Sequence, residues 1–555
     1  MDSKTSGAGA STKVAPPRLS LRRAPSTSAS ALSRACVILG WQARRAGREA
    51  ASAEFQYISR DAEAAAVLAD AGRRRRGVAL SRMPGAHAVC AKLATAAALG
   101  LASRLCAGGG ALLIREGWPD SYALGPDGTG AGAEALRCAM GEAKGKHWWI
   151  VKPDRASQGD GIFLTQSWEA VQARLNGCPV LVQRYEADTA LLDERKFDLR
   201  VYVLLTRNSA GVLRAYACRE GICRLCAESY SKPEAGNAHQ LTAHLTNYAI
   251  NKGAEGFERA ADMGEGSKRA LMTVLMQLVG DEAAADKLFD RITALLGAAV
   301  AAMEHPMASE PPEGATDADS CFQLLGLDVM LTERLQPVLL EANAHPSLAL
   351  DATVPLGTGE LPEGAKPCRC KDMAEPHFHQ PSVVDEAIKV AVLAGALEIV
   401  RRERRGLDAL GGPHASSTYV RIFQSAAKPQ LAGAGEADQG PTVNFPVLDS
   451  LAEVLALQRG ASRGAGLNAP KLRSMLEATG VLAPREFDLV LATLSGRRAR
   501  AASVADEAPN DFLALAELLE EVAQRAYGSE IGAEEGVRRV VQALIERFRA
   551  PCAFF

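Results

Sequence analysis

The sequence predicts an α+β protein, with an N-terminal α/β subdomain, a strand-rich centre and a helical C-terminal extension. Three observations carry that expectation. From Cys36 to Val151, apolar runs such as ACVILGW alternate with Ala-rich helical stretches and with Gly-rich turns at CAGGGALL and LGPDGTGAGA. Between Trp148 and Leu348, short β-like runs crowd together: HWWIVKP, PVLVQRY, FDLRVYVLLT, VLRAYACR, LGLDVML and PVLLEANA. Beyond the Gly/Pro-rich stretch near 429–441, apolar residues return at helical spacing almost to the end.

In chain order, residues 1–32 are expected to be a disordered basic leader. The first 49 residues hold nine Lys or Arg against Asp2 and Glu49, and Ser, Ala, Thr and Pro dominate. Such a segment buries too little apolar surface to offset the entropy of ordering. Its composition is also that of an organelle transit peptide, although a solvated tail is preferred. Residues 33–145 form the α/β subdomain and 146–360 the strand-rich core. The stretch 268–303 is helix-periodic, a helical insertion among strands. A connecting segment with a helix over Val383–Arg405 fills 361–428. Residues 442–555 contain helix pairs that resemble degenerate EF-hands, but none encloses a D-x-D-x-D-G loop, so a structural or docking module is expected rather than a calcium sensor.

Composition removes several function classes. With 63 Lys+Arg against 65 Asp+Glu the formal charge is −2, which gives nucleic-acid binding no support. The most apolar stretch, Leu93 to Ser103, lies between two cations and falls short of the roughly 20 residues a membrane helix needs. The 12 cysteines lack the dense spacing of a disulfide scaffold, so a reducing compartment is expected.

Three segments look built for a nucleotide. In WWIVKPDRASQGDGIFL, Lys152 ends a strand and can hold a phosphate, while Gly159 and Gly161 let backbone N–H groups close over an anion. The segment is no P-loop, and a plain Gly-containing hairpin is its commoner explanation. In LVQRYEADTALLDERKFDLRVYVLLT, Gln183, Arg184 and Tyr185 can form a hinge for an adenine edge. Strand alternation then puts Lys196, Asp198 and Arg200 on one face, costly unless a charged ligand meets them. In CFQLLGLDVMLTERLQPVLLEANAHPSL, Asp328 interrupts an apolar strand, and Glu341 and Asn343 share a face of the next. Oxygen-only ligands of this kind suit Mg²⁺ carried by substrate phosphates.

MPG at 83–85 with Lys92, then WIVKP, GDGI, VQRY, KFDLRVYVLLT, CREGICR, HLTNYAINK, CFQLLGLDVML and LQPVLLEANAHPSL resemble, in order, the signature of the tubulin–tyrosine-ligase-like enzymes. The resemblance runs from about residue 36 to 350, with an echo at SSTYVRIF. It implies an ATP-grasp fold, with ATP and Mg²⁺ as cofactors. Carried over by motif, Lys92, Lys152 and Lys196 would contact ATP, Gln183 and Tyr185 the adenine, and Asp198 the nucleoside. Asp328, Glu341 and Asn343 would hold the metal, Thr246 and Asn247 would line the cleft, and Arg200 and Arg219 would steady the acyl-phosphate and the incoming amino acid. Arg184 stands where lysine is common, and EANAHPS replaces E-V-N-x-S-P-S, which leaves the acceptor rim near His345 open.

The implied reaction is ATP-dependent ligation. A side-chain carboxylate becomes an acyl-phosphate, and the amine of a free amino acid displaces phosphate to form an isopeptide bond. Glutamate is the preferred donor and tubulin tails the expected acceptor. Glycylation is the alternative, and an inactive microtubule-binding scaffold the reading from another class. A monomer in the cytoplasm, on the cytoskeleton or at an axoneme or basal body is the family expectation. Acidic tails call for a basic approach surface, with Arg73–Arg76, Arg401–Arg405 and Arg497–Arg500 as candidates and a solvated face as the bland reading of each. Cys368, Cys370, His377 and His379 are acceptable zinc ligands at irregular spacing, and a loop is preferred there. Cys218, Cys223 and Cys226 are expected to pack, an accidental metal site being the alternative.

Overall fold

A computed structural model describes residues 16–58, 78–128, 131–154, 158–175, 177–208, 211–308, 320–355, 377–425, 445–459, 469–482, 511–528 and 531–549, with a few isolated positions between them. It is a mixed α and β structure. At its N-terminal end, β1 (Arg18–Arg23), β2 (Gln42–Arg44), β3 (Phe55–Ile58) and β4 (Ala79–Leu80) pair in parallel, in the order β4-β3-β1-β2. The part of the expected disordered leader from Arg18 onward is therefore ordered, as a strand and the start of a helix. Leu19 and Leu21 alternate into the core from β1, and the helix Ser26–Ile38 buries Leu32 together with the small Ala29, Ala31 and Ala35. Residues 1–15 of that leader lie outside the described residues.

Next comes a four-stranded antiparallel sheet from β5 (Ser121–Leu124), β6 (Trp149–Pro153), β7 (Phe163–Thr165) and β8 (Val180–Arg184), ordered β5-β8-β6-β7. After the short β9 (Leu191–Leu192), the chain builds the long strands β10 (Arg195–Arg207) and β11 (Leu213–Leu225), then β12 (Lys268–Ala270), β13 (Ser320–Leu331) and β14 (Pro337–Asn343). These extend the N-terminal strands into one 11-stranded sheet, joined where β13 runs parallel to β4. The strands β15 (Asp351–Pro355) and β16 (His377–Pro381) form a separate pair, and β17 (Tyr419–Gln424) joins β11.

Strand alternation on β10 sets the layers. Phe197, Leu199, Val201, Val203 and Leu205 face one way, into a core shared with the helices Leu271–Val279 and Glu282–Ala308. The helical insertion expected over 268–303 is thus two helices, broken at Gly280, whose φ of 72° caps the first. Tyr202 and Leu204 face the other way, beneath the helix Val383–Arg404. That helix opens with Ser382 accepting the Asp385 N–H at 3.3 Å and ends in Arg401, Arg402 and Arg404, favourable to its dipole at both ends.

The C-terminal helices Pro446–Arg459, Ala469–Thr479, Asp511–Tyr527 and Ala533–Arg549 share the first core rather than standing apart from it. Leu448, Phe512 and Leu515 are fully buried in it, and Arg104, near the end of the helix Lys92–Leu105, is bidentate to Glu520 at 3.1 and 2.9 Å. The basic runs Arg73–Arg76 and Arg497–Arg500 lie outside the described residues. Part of the third is engaged inside the chain: Arg402 donates to the Asp408 carbonyl at 2.6 Å and Arg404 to Ser320 Oγ at 2.8 Å.

Candidate active site

The four-stranded sheet and one end of the large sheet face each other across a cleft, lined by Lys152 and Gln183 from the first and by Lys196, Asp198, Asp328 and Glu341 from the second. On β10, Lys196, Asp198 and Arg200 project to one face at the end that the helix Val383–Arg404 leaves open. Directly opposite them in register, Asp198 pairs with Arg224 of β11 and Arg200 with Asp328 of β13. On the far side of β13, Asp328 pairs with Glu341 and Gly326 with Asn343 of β14.

These side chains interlock. Arg200 grips Asp328 through Nε and, at 2.9 Å, through Nη2. Arg224 lies 2.8 Å from Asp328 and forks onto Asp198, which also accepts Thr246 Oγ1 at 2.7 Å. Burial alone would raise the Asp328 carboxyl, but the two guanidiniums override it and hold that carboxyl well below its usual range. Glu341 goes the other way: burial first, then the Asp328 charge, push it up against the pull of Lys152 and Asn343.

The opposing sheet supplies cations. Lys152 Nζ donates to Gln183 Oε1 at 2.7 Å and to the Leu340 carbonyl at 3.3 Å, bridging the two sheets. Lys196 Nζ donates to Tyr185 Oη at 2.8 Å and sits 4.0 Å above the same ring. Burial lowers both ammoniums to about 8. Lys92, at the start of its helix, holds the loop after β6 by donating to the Ala156 carbonyl at 2.6 Å. In that loop Gly159 has φ +88°, and an added Cβ would come within 2.5 Å of Ile250 Cδ1 and 3.3 Å of Asn247, so only glycine lets the turn close there. Gly161 also has a positive φ, of 68°.

The structure therefore brings together Lys152, Gln183, Arg184, Tyr185, Lys196, Asp198, Thr246, Asn247, Asp328 and Glu341 as cleft walls, with Arg200 paired to Asp328 and Asn343 donating to Glu341 at 3.0 Å. Lys92, Gly159 and Gly161 shape the loop at its edge. Two expectations need correcting. Arg219 pairs with Asp286 and lies 5.1 Å over Phe289, both on a helix behind the sheet, because its strand parity points it away from Asp328. The N–H groups of Arg184 and Tyr185 are already donated, to Asp120 and Trp148 carbonyls at 2.9 and 2.8 Å, so neither is a free hinge donor.

The sequence reading missed Arg224 and His244. Arg224 stands five residues after Arg219, hence on the opposite face of a regular strand, and alternation with the buried Cys223 and Leu225 could have placed it among the charges. His244 lines the cleft between Tyr185 and Tyr230 and keeps a buried Nε2 with no hydrogen-bond partner, a group that a polar ligand would satisfy.

Asp328, Glu341 and Asn343 fit a hard divalent cation. All three offer oxygen, they sit on adjacent strands, and a positive charge between the two carboxylates would relieve the repulsion that raises Glu341. Among the described residues no three His, Cys, Asp or Glu side chains come close enough to hold a metal, so Cys218, Cys223 and Cys226 do not form one. Burial pushes the Cys226 thiol up to about 12. Cys368 and Cys370 lie outside the described residues.

Two sheets closing on a cleft with paired acids, buried lysines and a glycine turn make a mixed α and β protein with a site suited to a charged ligand. More particularly, residues 133–355 match the tubulin-tyrosine ligase family. It is 35% identical over 329 residues to tubulin polyglutamylase ttll-11 of Caenorhabditis elegans, covering 57% of this chain and 44% of that protein. Human tubulin polyglutamylase TTLL11 is 31% identical over 312 residues, 54% of this chain and 40% of that one. Zebrafish (Danio rerio) tubulin polyglutamylase ttll6 is 37% identical over 218 residues, 39% and 27% of the two. The chain thus spans less than half the length of these relatives.

Proposed function

We propose that this chain is an ATP-dependent ligase that adds glutamate, through isopeptide bonds, to glutamate side chains in tubulin C-terminal tails. The observation that carries the reading is the meeting of Lys152, Lys196, Asp198, Asp328 and Glu341 across one cleft. A core of this composition is costly without a charged ligand. The names of the similar proteins support tubulin as acceptor and glutamate as donor.

Lys152 and Lys196 would hold the phosphates as point charges, with Lys92 and the turn at Gly159 and Gly161 closing over them. Tyr185 and His244 would flank the base, and Asp198 and Thr246 the ribose. Asp328, Glu341 and Asn343 would hold magnesium, which when bound neutralises charge on the transferred phosphoryl group. The acceptor carboxylate is a poor electrophile until phosphorylated, and the amine of free glutamate then displaces phosphate. Arg200 and Arg224, fixed by Asp328 and Asp198, would offer guanidinium donors to the oxyanion of that step. A monomer acting on cytoplasmic, cytoskeletal microtubules, including those of axonemes, fits this reading.

The test is incubation of the purified chain with microtubules, Mg-ATP and labelled glutamate, glycine or tyrosine in turn. Incorporation of glutamate supports the reading. Glycine alone would make the chain a glycylase, and no incorporation would leave a scaffold.

A further inference from the structure

Lys196 enters the cleft two residues after a turn that has to be held in shape. The hairpin of β9 and β10 pairs Leu192 with Arg195 and Leu191 with Lys196, so Asp193 and Glu194 form its two-residue loop. Both are left-handed, with φ of 51° and 59°. Loops of this kind follow the twist of the strands they join, and asparagine or aspartate followed by glycine adopts them most readily. Asp193 suits the first position. Glu194 carries a Cβ into the second, where glycine is favoured, so the backbone there is strained.

Two arginines hold the loop down. Arg269 of β12 grips Asp193 through Nη2, and Arg195 Nη2 lies 3.7 Å from the same carboxylate oxygen. Arg269 is fixed in turn by donating Nε to the Gly266 carbonyl at 3.0 Å, and its side chain is 7% exposed. A guanidinium so buried is costly to leave unpaired, so the ion pair resists opening of the loop. The shape of the loop then passes to Lys196 through the backbone. The Glu194 carbonyl accepts the Tyr230 N–H at 2.8 Å, and the Lys196 carbonyl accepts the Cys226 N–H at 2.8 Å. Tyr230 donates its hydroxyl to the Ala187 carbonyl at 2.7 Å, and its ring lies 5.7 Å from Lys196 Nζ, across from the Tyr185 ring at 4.0 Å. The ammonium therefore sits between two aromatic faces, one of which hangs on the turn.

We propose that Asp193 is a positioning residue for Lys196: its ion pair with Arg269 keeps the strained Asp193–Glu194 loop closed, and the closed loop sets the ammonium and the Tyr230 ring beside it. The use of Lys196 as a phosphate contact rests on the nucleotide reading of the cleft. The placing of its side chain does not. Without the pair, nothing opposes relaxation of Glu194 toward negative φ, and the register of Leu191 with Lys196 loosens with it.

The experiment follows Lys196 itself. The nucleotide-free full chain is pulse-labelled with an amine-reactive acetylating ester, and acetylation at Lys196 and Lys389 is read by mass spectrometry. Mg-ATP affinity is measured in parallel by titration calorimetry. Lys389, on the helix Val383–Arg404, is 5% exposed, as Lys196 is, and reports general loosening. Asp193 is 53% exposed at its side chain, so Asp193→Ala leaves no cavity in the core. If the closed loop falls to about a fifth of the molecules in that variant, Mg-ATP affinity should drop about fivefold and Lys196 labelling rise by at least about as much, with Lys389 unchanged. Adding Glu194→Gly removes the strain that the ion pair opposes, and the double variant should recover both properties. Unchanged Lys196 labelling in Asp193→Ala, a parallel rise at Lys389, or a double variant no better than the single one would each overturn the proposal. Labelling that responds as expected in a chain whose Mg-ATP affinity is absent or unmoved would instead sink Lys196 as a phosphate contact and leave its positioning by Asp193 standing.

Discussion

Arg224 Nη2 lies 2.8 Å from Asp328 Oδ2 while the same guanidinium forks onto Asp198, so one arginine ties the two acids of neighbouring strands together. Arg219, in the same strand, is held by Asp286 behind the sheet. Arg224→Lys should therefore lower kcat/KM for ligation by about a hundredfold or more, since a point charge cannot reproduce the fork. Arg219→Ala should stay within roughly threefold, because surface-type pairs contribute little. Steady-state kinetics of the two variants check this, and equal losses would put the assignment back on Arg219.

Nucleotide binding should weaken as the medium becomes alkaline. Burial holds Lys152 and Lys196 down to about 8 in the free protein, and a bound triphosphate would favour their charged forms. Binding near pH 8 should therefore take up protons, and affinity should fall between pH 7 and 9 by up to about tenfold per lysine. Titration calorimetry in buffers of different ionisation enthalpy reads both effects. In the free chain the same depression makes stability rise with pH between about 8 and 10.5, where the unfolded chain binds protons that the folded one does not.

Glu341 should reveal the metal site. Its carboxyl is raised, so its charge costs stability once the pH exceeds that raised value, and near neutrality Glu341→Gln should leave the metal-free melting temperature unchanged or higher. In the wild-type chain, Mg²⁺ with nucleotide at a hundred times Kd should add about 2.7 kcal/mol of stability. Differential scanning calorimetry should find that gain largely lost in Glu341→Gln. A full gain in the variant would remove Glu341 from the metal's ligands.

The C-terminal helices should be inseparable from the large sheet and its helices. Leu448 is fully buried in the core that also holds the helix Lys92–Leu105, so Leu448→Ala should cost about 2–5 kcal/mol in chemical denaturation. A chain ending at Ser425 should aggregate, having exposed that face. A soluble truncated chain with native melting behaviour would make those helices an independent module.

Strand alternation made the chemistry-bearing residues legible from sequence alone. A period of two puts Lys196, Asp198 and Arg200 on one face, and Glu341 and Asn343 on another, whatever the fold around them. Buried charges in apolar strands announce a ligand for the same local reason. Apolar periodicity likewise located the long helix that begins at Val383. Short segments with few large residues, such as β1 and the Ala-rich helix after it, were illegible, because their order comes from partners far away in the chain.

What the tertiary structure alone decided is which charges meet. The hairpin of β10 and β11 sets Arg224 against Asp198, but only the pairing of β10 with β13, more than a hundred residues further on, brings Asp328 up to Arg200 and Arg224. It also put the C-terminal helices on the core of the large sheet. A sequence fixes the face on which a side chain projects, because that depends on neighbours in the chain. Its partner across the sheet depends on how distant strands slide into place, and that is settled only when the core closes.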